Sequence, residues 1–355
     1  MRTRSGTCYQ EVHNMCRQKR TTDFNFTGAR KRLKLLSGSP PQHDAFDTLP
    51  DDIVLAILAK LASTASCPAD FITILSTCKR LNGLATHSVV LSKASSNCLA
   101  VKTKNWSEYS HRFLKRCSDA GNVEASYTLG MIRFYCFQNR ESGASLMAKA
   151  AIRSHAPALY SLAVIQFNGS GGMKNDKDSR AGVALCARAA FLGHVDALRE
   201  LGHCLQDGHG VSTNVTEGRR LLIQANAREL AGVLTTTPSS LFSGKQLVGP
   251  LLSDFGCNVP VPEPHPANRF LIGWFAEKPA SVEMRLCSYS GCGRVETRRH
   301  EFRRCSVCGD VNYCSRACQA LDWKFRHRMT CREAFDGNGN GNGDINENGT
   351  MVDER

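Results

Sequence analysis

The chain has 355 residues, 42% of them hydrophobic, which is enough for two or three domains with buried cores. Its formal net charge of +13 is uneven: residues 1–43 carry nine basic and two acidic side chains (+7), and residues 336–355 carry five acidic side chains and Arg355 (−4). Without a signal peptide or a run of eighteen apolar residues, we expect neither a secreted nor a membrane protein, and we expect the 17 cysteines as reduced thiols or metal ligands.

Residues 1–43 predict a disordered basic leader. Lys19-Arg20 followed by Arg30-Lys31-Arg32-Leu33-Lys34 resembles a two-part nuclear import signal, because such signals are exposed clusters of cations that an acidic receptor groove binds. We therefore expect the protein in the nucleus, with the cytoplasm as a second location. A merely solvated leader is the alternative, and direct nucleic-acid binding is not expected from flexible charged ends.

Residues 44–61, DAFDTLPDDIVLAILAKL, predict the start of a helix. Asp47 or Thr48 can cap it, Pro50 suits its first turn, and two aspartates follow at the positive end of the helix dipole. The periodic apolar residues Ile53, Ile57 and Leu61 then predict one buried stripe. Helical patterns continue to residue 84, and a unit this small needs a partner to cover its apolar surface.

The opening Leu49-Pro50-Asp51 and the later Cys78-Lys79-Arg80 resemble an F-box. That family docks on the Skp adaptor of cullin-based ubiquitin ligases and holds its substrate elsewhere, so the resemblance implies an F-box-like unit over residues 44–95. The expected adaptor contacts are Leu49, Pro50, Ile53 and Ile57. The alternative is an ordinary amphipathic hairpin, because isoleucine and leucine at helical spacing are common.

Residues 99–231 repeat one arrangement with offsets of 33 and 39 residues. Ala-x3-Leu followed by Gly or Ala occurs at residues 125–130, 158–163 and 197–202. Small residues at this period are typical of stacked helical pairs that cross closely. The pattern resembles the Sel-type relatives of tetratricopeptide repeats, whose curved wall commonly receives a partner. A rigid spacer is the alternative.

No catalytic constellation is found in this region. The glycine-rich stretch 169–172 lacks the lysine-serine pair of a phosphate-binding loop, and the histidines up to residue 210 show no metal spacing. The cysteines outside the carboxyl-terminal region are interpreted as small buried hydrophobes. We therefore expect no catalytic or small-molecule cofactor site, and a chain that is not itself an enzyme.

Residues 232–284 are rich in Thr, Ser, Gly and Pro, and prolines alternate in VPVPEPHP from residue 259 to 266. Alternating prolines hold a chain extended, which predicts a semi-rigid linker. The alternative is a peptide that folds back onto the carboxyl-terminal region. The final residues 334–355 contain GNGNGNGDINENG, which cannot form a core and predicts a disordered tail.

Between residues 285 and 333, eight candidate metal ligands fall into four pairs. The pairs are Cys287-x4-Cys292, Cys305-x2-Cys308, Cys314-x3-Cys318 and His327-x3-Cys331. Each spacing brings two side chains to the same side of a tight turn or of one helical turn. Zinc takes four ligands in a tetrahedron, so eight ligands predict two closed, structural sites, although spacing alone leaves the pairing open.

The spacing, together with Tyr313-Cys314-Ser315, Cys318-Gln319 and Asp322-Trp323, resembles a MYND-type zinc finger. In that family the pairs interleave, which implies one Zn²⁺ on Cys287, Cys292, Cys314 and Cys318 and a second on Cys305, Cys308, His327 and Cys331. The twelve residues between Cys292 and Cys305 are long for the family, and His300 inside them is a rival ligand. A RING finger would need a central Cys-x-His and a terminal Cys-x2-Cys, which this region lacks.

MYND fingers are protein-binding modules, and several bind proline-rich peptides. The matching positions here are Gln319 and Trp323, although Trp323 could instead pack the small core between the two sites. Eleven basic and five acidic residues give the region +6, and seven thiolates with two Zn²⁺ lower this to about +3. That lower charge weakens a nucleic-acid interpretation.

Together these features predict a mainly α protein: an F-box-like unit, an α-solenoid of helical-pair repeats, and a small two-zinc finger. This order resembles plant F-box proteins that carry a MYND finger. The resemblance implies a substrate receptor that binds a Skp adaptor and, through it, a cullin, with an unknown target protein. The alternative is a nuclear scaffold or corepressor that uses the finger without a ligase.

Overall fold

The computed structural model describes residues 48–236 and 261–332. This part of the chain is mainly α-helical, with a single two-stranded antiparallel sheet among the described residues. The predicted fold class is confirmed for the described part. The predicted leader, the predicted tail and residues 237–260 of the predicted linker lie outside it.

Four short helices form the front of the described chain. They are α1 (Asp51–Thr64), α2 (Pro68–Leu75), α3 (Lys79–Ala85) and α4 (Ser88–Leu91). Helix α1 begins directly after Pro50, which is the N-cap residue and accepts no side-chain hydrogen bond from the helix. The prediction that Thr48 is the N-cap residue is therefore wrong. Asp47 lies outside the described residues. The first turn contains both aspartates, as predicted.

The buried stripe of α1 is shifted by one residue from the prediction. Val54, Leu58 and Ala62 are buried, at 0%, 3% and 0% exposure, whereas Ile53 and Ile57 are 45% and 41% exposed. Apolar residues cover more than one face of α1, and packing against α3 and α4 selects which face is buried. The isoleucines predicted to be buried therefore lie on the surface.

Three antiparallel helical pairs and one long helix follow. The helices are α5 (Glu108–Asp119), α6 (Val123–Met131), α7 (Arg140–Ile152), α8 (Ala156–Asn168), α9 (Ser179–Phe191), α10 (Val195–Asp207) and α11 (Val215–Thr236). Short 3₁₀ turns at Thr103–Asn105 and Lys174–Asp176 and a π turn at Ile132–Cys136 complete the region. The predicted helical-pair solenoid is confirmed.

Glycines lie where the second helix of one pair crosses the first helix of the next. A Cβ on Gly130 would lie 2.8 Å from the Met147 side chain and 3.0 Å from the Gly143 carbonyl oxygen. A Cβ on Gly202 would lie 3.0 Å from the Gly218 carbonyl oxygen. Any larger residue would push the helices apart, which explains the small residues of the repeat pattern.

The second helix of each pair begins with the same kind of cap. Asn122, His155 and His194 accept a hydrogen bond from the backbone N–H three residues later, at 2.9, 3.3 and 3.2 Å. Because the histidines accept through Nδ1, the proton lies on Nε2, and that atom of His155 bonds Glu124 at 3.0 Å. Two histidines of the repeats are therefore helix caps.

A twelfth helix lies inside the predicted linker. Helix α12 (Pro266–Glu277) has Phe270 and Leu271 in the core, at 3% and 0% exposure, so this part of the linker prediction is wrong. Pro266 occupies the first turn of the helix, where a proline is favourable, and the amphipathic sequence ANRFLIGWFAE follows. Helix α11 also extends beyond residue 231, to Thr236.

The carboxyl-terminal part of the described chain holds the remaining elements. These are β1 (Arg303–Arg304), β2 (Asn312–Tyr313), α13 (Arg316–Asp322), a π turn (Trp323–His327) and α14 (Arg328–Thr330). The strands pair antiparallel, Arg303 opposite Tyr313. Tyr313, Ala317 and Leu321 are buried in the same hydrophobic core as Leu159, Ala163 and Leu198 of the repeats. This region is therefore packed against the solenoid.

Candidate metal centre and docking surfaces

The structure brings four cysteines of the carboxyl-terminal region into one buried cluster. The sulfurs of Cys287, Cys292, Cys314 and Cys318 all lie within 4.8 Å of one another. An isolated bridge between Leu286 and Val295 positions the first two. Cys314 directly follows β2, and Cys318 lies in the first turns of α13.

A second cluster consists of Cys305, Cys308, His327 and Cys331, whose ligand atoms also lie within 4.8 Å of one another. Cys305 follows β1, Gly309 closes the turn between the strands with φ of +70°, and the two later residues bracket α14. His300 belongs to neither cluster. The two groups coincide with the interleaved sets that the resemblance implied.

The distances within both clusters suit tetrahedral metal coordination. Zn–S bonds of about 2.3 Å place two sulfurs about 3.8 Å apart on a tetrahedron, and a sulfur and an imidazole nitrogen about 3.6 Å apart. The observed separations are 3.5 Å for Cys292–Cys314, 3.6 Å for Cys314–Cys318, 3.9 Å for Cys305–Cys331 and 3.5 Å for Cys308 Sγ to His327 Nε2. All are far longer than a disulfide bond.

The electrostatics of the first cluster also favour a cation. Burial and the neighbouring sulfurs raise the pKa of Cys287 well above its usual value, whereas hydrogen bonds from Cys287 and Cys314 lower the pKa of Cys292 well below it. Without a cation, the four buried sulfurs therefore cannot all be thiolates. A bound divalent metal ion would stabilise all four.

A second surface lies at the front helices. Leu49 is half-buried and Pro50 is exposed, and both precede the exposed side chains of Ile53 and Ile57 on α1. Arg80 donates to the Leu49 carbonyl oxygen at 2.5 Å and to Asp51 Oδ1 at 2.7 Å. The two segments of the F-box-like pattern are therefore joined by one guanidinium group.

Comparisons with known proteins give a family for each of two regions. The family described as plant tetratrico peptide repeats matches residues 97–190, and the MYND finger family matches residues 287–331. An F-box protein of Arabidopsis thaliana is 63% identical over 365 residues, covering 92% of this chain and 96% of its own length. A second F-box protein of the same plant is 65% identical over 288 residues, covering 81% and 84%.

The chain belongs to the plant F-box proteins with a MYND finger. A ubiquitin carboxyl-terminal hydrolase of Arabidopsis thaliana shares 44% identity over 43 residues, 12% of this chain and 6% of that protein. Among solved structures, a Sel1 repeat protein from Oxalobacter formigenes aligns with a TM-score of 0.30 at 24% identity over 32% of this chain and 86% of its own. A protective antigen of uropathogenic Escherichia coli with an SLR fold aligns with a TM-score of 0.38 at 12% identity over 64% and 46%.

The long insert between Cys292 and Cys305 attaches the finger of this F-box protein to its repeats. Arg298 donates to the carbonyl oxygens of Asn168 and Gly169, which end helix α8. Gly171 N–H donates to Thr297 Oγ1 at 2.8 Å. The insert that departs from the family spacing is thus a docking arm, which binds the end of α8 and the glycine-rich stretch 169–172 of the same chain.

The first turn of helix α13, which is capped by Ser315 of the finger, also bonds to the repeats. Glu200 of α10 is 3% exposed, and its carboxylate accepts from Ala317 N–H at 2.8 Å. Lys324 of the following π turn pairs with buried Glu229 of α11 at 3.2 Å. The Glu229 carboxylate also lies 2.7 Å from the Arg199 guanidinium group. Sequence reasoning missed the two contacts between the finger and the repeats because the paired residues are 117 and 95 positions apart.

Arg294 is the buried cation next to the first cluster. It is 4% exposed, with Nη1 3.6 Å from Cys292 Sγ and Nη2 2.9 Å from Ser161 Oγ on α8. Its guanidinium carbon lies 5.8 Å from the centre of the Tyr160 ring. One side chain therefore contacts the cysteine cluster and the repeats, and nothing in its sequence position indicated this role.

Gln319 and Trp323, the predicted peptide contacts, lie one helical turn apart at the outer side of the finger. Trp323 is 42% exposed and packs edge-on against His327, with ring centres 5.8 Å apart. The alternative that Trp323 is a core residue is wrong, because its side chain is exposed whereas Tyr313 and Leu321 are buried. Peptide binding by this pair stays a prediction.

Two further observations limit the chemistry. Among the described residues, no other group of three or more His, Cys, Asp or Glu side chains has metal-binding spacing. No helix of the described part is both long and apolar enough to cross a membrane.

Proposed function

We propose that this F-box protein is the substrate-receptor subunit of a Skp-cullin-F-box ubiquitin ligase. The front helices bind the Skp adaptor, the adaptor binds a cullin, and the repeats and finger bind the target protein. The observation that carries this proposal is the exposed pair Ile53 and Ile57 beside a Leu49-Pro50-Asp51 opening that Arg80 holds in place.

The exposed apolar side chains explain why the front helices need a partner. A fully buried isoleucine contributes about 1.5 to 3 kcal/mol relative to an exposed one, so covering both residues stabilises a complex substantially. Their exposure is a cost only while no partner is bound. A charged or purely polar face would not favour an adaptor in this way.

The finger is proposed to hold two Zn²⁺ ions. Thiolate and imidazole donors in closed tetrahedral sets are typical of structural zinc. The ligands of the first ion are Cys287, Cys292, Cys314 and Cys318, and those of the second are Cys305, Cys308, His327 and Cys331. Bound zinc would supply charge compensation and rigidity. Because four protein ligands fill each site, we propose that the chain itself is non-catalytic. The transfer of ubiquitin would be carried out by the assembled ligase.

Target recognition is assigned to the repeats and the finger, with Gln319 and Trp323 as contacts for a peptide.

We also propose that the protein acts in the nucleus, because the basic leader resembles an import signal. The leader lies outside the described residues. A scaffold that uses exposed Trp323 without a ligase is the second candidate. It predicts that proteasome inhibition leaves the abundance of bound partners unchanged.

Replacement of the apolar pair tests the ligase proposal. We expect Ile53→Ser with Ile57→Ser to weaken adaptor binding at least about tenfold, because the buried apolar area is lost. Leu49→Ala with Pro50→Ala should give the same result. The measurement is co-purification of a Skp adaptor and a cullin with the full chain from plant cells.

Ile223→Ser is the matched control, because Ile223 is 68% exposed on α11, far along the chain from the front helices. It should leave adaptor binding unchanged. Equal adaptor recovery with all variants would reject the assignment, and partners without any adaptor or cullin would favour the scaffold.

A further inference from the structure

Four arginines form a ladder along one edge of the solenoid. Each arginine reaches back to the turn that closes an earlier helix, after α3, α5, α7 and α9 in order. The contacts pair Arg116 with Thr86, Arg153 with Gly121, Arg188 with Ser154, and Arg228 with Gly193. These pairs connect successive layers, so the ladder follows the direction in which the repeats stack.

The arginines of the ladder keep their charge uncompensated. Where hydrogen bonds are formed, the acceptors are neutral, such as the Gly121 carbonyl oxygen for Arg153 and the Ser154 hydroxyl for Arg188. Within the described residues, no carboxylate forms an ion pair with any of the four. Arg112 and Arg220, which lie on the same helices as Arg116 and Arg228, are instead paired with Glu108 and Glu217.

Two exposed apolar side chains neighbour ladder residues along the chain. Ile152 is 76% exposed beside Arg153, and Phe191 is 88% exposed between Arg188 and the turn at Gly193. They are 39 residues apart, which is the offset of the repeat, so they occupy equivalent positions. Single exposed apolar residues are ordinary, but two at equivalent positions within a row of cations form a patterned surface.

We propose that the arginine ladder with Ile152 and Phe191 binds an acidic segment of a partner protein that also carries apolar side chains. Guanidinium groups bind carboxylates through two parallel hydrogen bonds, and the four cations lie in the order in which an extended segment would meet them. The apolar pair favours a polypeptide over nucleic acid, since a phosphate backbone has no group for Ile152. This surface is separate from Ile53 and Ile57 and does not depend on the proposed ligase role.

Selection from a displayed library of random peptides tests the ladder. The zinc-loaded full chain is the bait, and we expect the selected peptides to be enriched in Asp and Glu together with Leu, Ile or Phe. In solution, a selected peptide should bind the variant Ile152→Ser with Phe191→Ser about tenfold more weakly or worse. Arg188→Gln with Arg228→Gln should weaken it similarly and reduce its salt dependence.

The matched controls change an exposed apolar and an exposed basic residue elsewhere. Met173→Ser and Arg219→Gln should leave peptide affinity unchanged, and all variants should keep the wild-type melting temperature. Peptides without acidic enrichment, or peptides that bind the ladder variants as well as the wild type, would overturn the proposal. Duplex DNA or RNA that competes for the ladder with steep salt dependence, in place of peptides, would overturn it as well. Adaptor binding is measured on the same variants and should persist, so failure of either proposal can be recognised separately.

Discussion

At the scale of single residues, buried charged and titratable groups join the finger to the repeats. Arg294 contacts both the Cys292 sulfur and Ser161 of α8, and Glu200 of α10 accepts a hydrogen bond from the first turn of the finger helix. His194 caps α10 and stacks on Tyr160, with ring centres 4.8 Å apart. Substitutions at these residues should therefore change properties of the finger as well as of the repeats.

Replacing Arg294 with methionine should speed zinc release from the first site. A tetrahedral Zn(Cys)₄ group carries two negative charges, and the buried guanidinium at 3.6 Å from Cys292 compensates part of that charge. The measurement is the rate at which a chromophoric chelator takes up zinc from the full chain. Arg299→Met is the control, because Arg299 is an exposed partner of Glu283. Equal release rates would contradict a charge-compensating role.

Replacing His194 with asparagine should flatten the dependence of stability on pH. Burial lowers the pKa of His194 from 6.5 to about 4. Between those values the unfolded chain binds a proton that the folded chain excludes, so the histidine's contribution is complete above pH 6.5 and falls as pH is lowered toward 4. At pH 5 this amounts to about 2 kcal/mol.

The same helix cap can be kept in that test, since the chain itself uses asparagine at the equivalent position, Asn122. Urea unfolding of both proteins, saturated with zinc at pH 7 and pH 5, gives the difference directly. Acid release of zinc affects both proteins and cancels in the comparison. Parallel losses of stability in the two proteins would show that His194 does not titrate as described.

At the scale of elements, the solenoid depends on close crossings between helices. A Cβ on Gly143 would lie 2.6 Å from the Phe134 backbone nitrogen, so Gly143→Ala should destabilise the chain by about 1 to 3 kcal/mol. Gly83→Ala on α3 is the matched control, because its Cβ would meet nothing within 4 Å. Alanine there should raise the free energy of unfolding by about 0.5 to 1 kcal/mol. Thermal unfolding of both variants measures the two effects. A neutral Gly143→Ala would contradict the close crossing.

Sequence reasoning succeeded for elements whose signals are local and periodic. The repeats could be predicted because the same small residues recur at 33 and 39 positions, and the four ligand pairs because their spacings are short. The grouping of those pairs into two sites came only from the resemblance to MYND fingers. The prediction of the buried stripe of α1 was wrong because both Ile53 and Val54 belong to periodic apolar rows, and only the packing of α3 and α4 selects between them. Helix α12 was missed because the prolines before it dominated the composition. The docking arm could not be found, since Arg298 and Asn168 are 130 residues apart.

At the scale of the whole molecule, the finger and the repeats share one core, so loss of metal should affect both. We expect a zinc chelator to remove amide protection from residues 285–332 and to weaken protection in α8 and α10, which pack against them. The front helices, whose core is distinct, should stay protected. Hydrogen exchange read by mass spectrometry measures all three regions. A change confined to the finger would show that its contacts with the repeats contribute little stability.

Helix α12 contributes side chains to both hydrophobic cores of the described chain. Phe270 packs edge-on against Trp106 in the front core, while neighbouring Leu271 lies in the core shared by the repeats and the finger. Because this helix is anchored in both cores, a target protein bound in the proposed ligase would be held in one orientation. Which of its lysines come within reach of the ubiquitin-loaded enzyme would then follow from geometry alone.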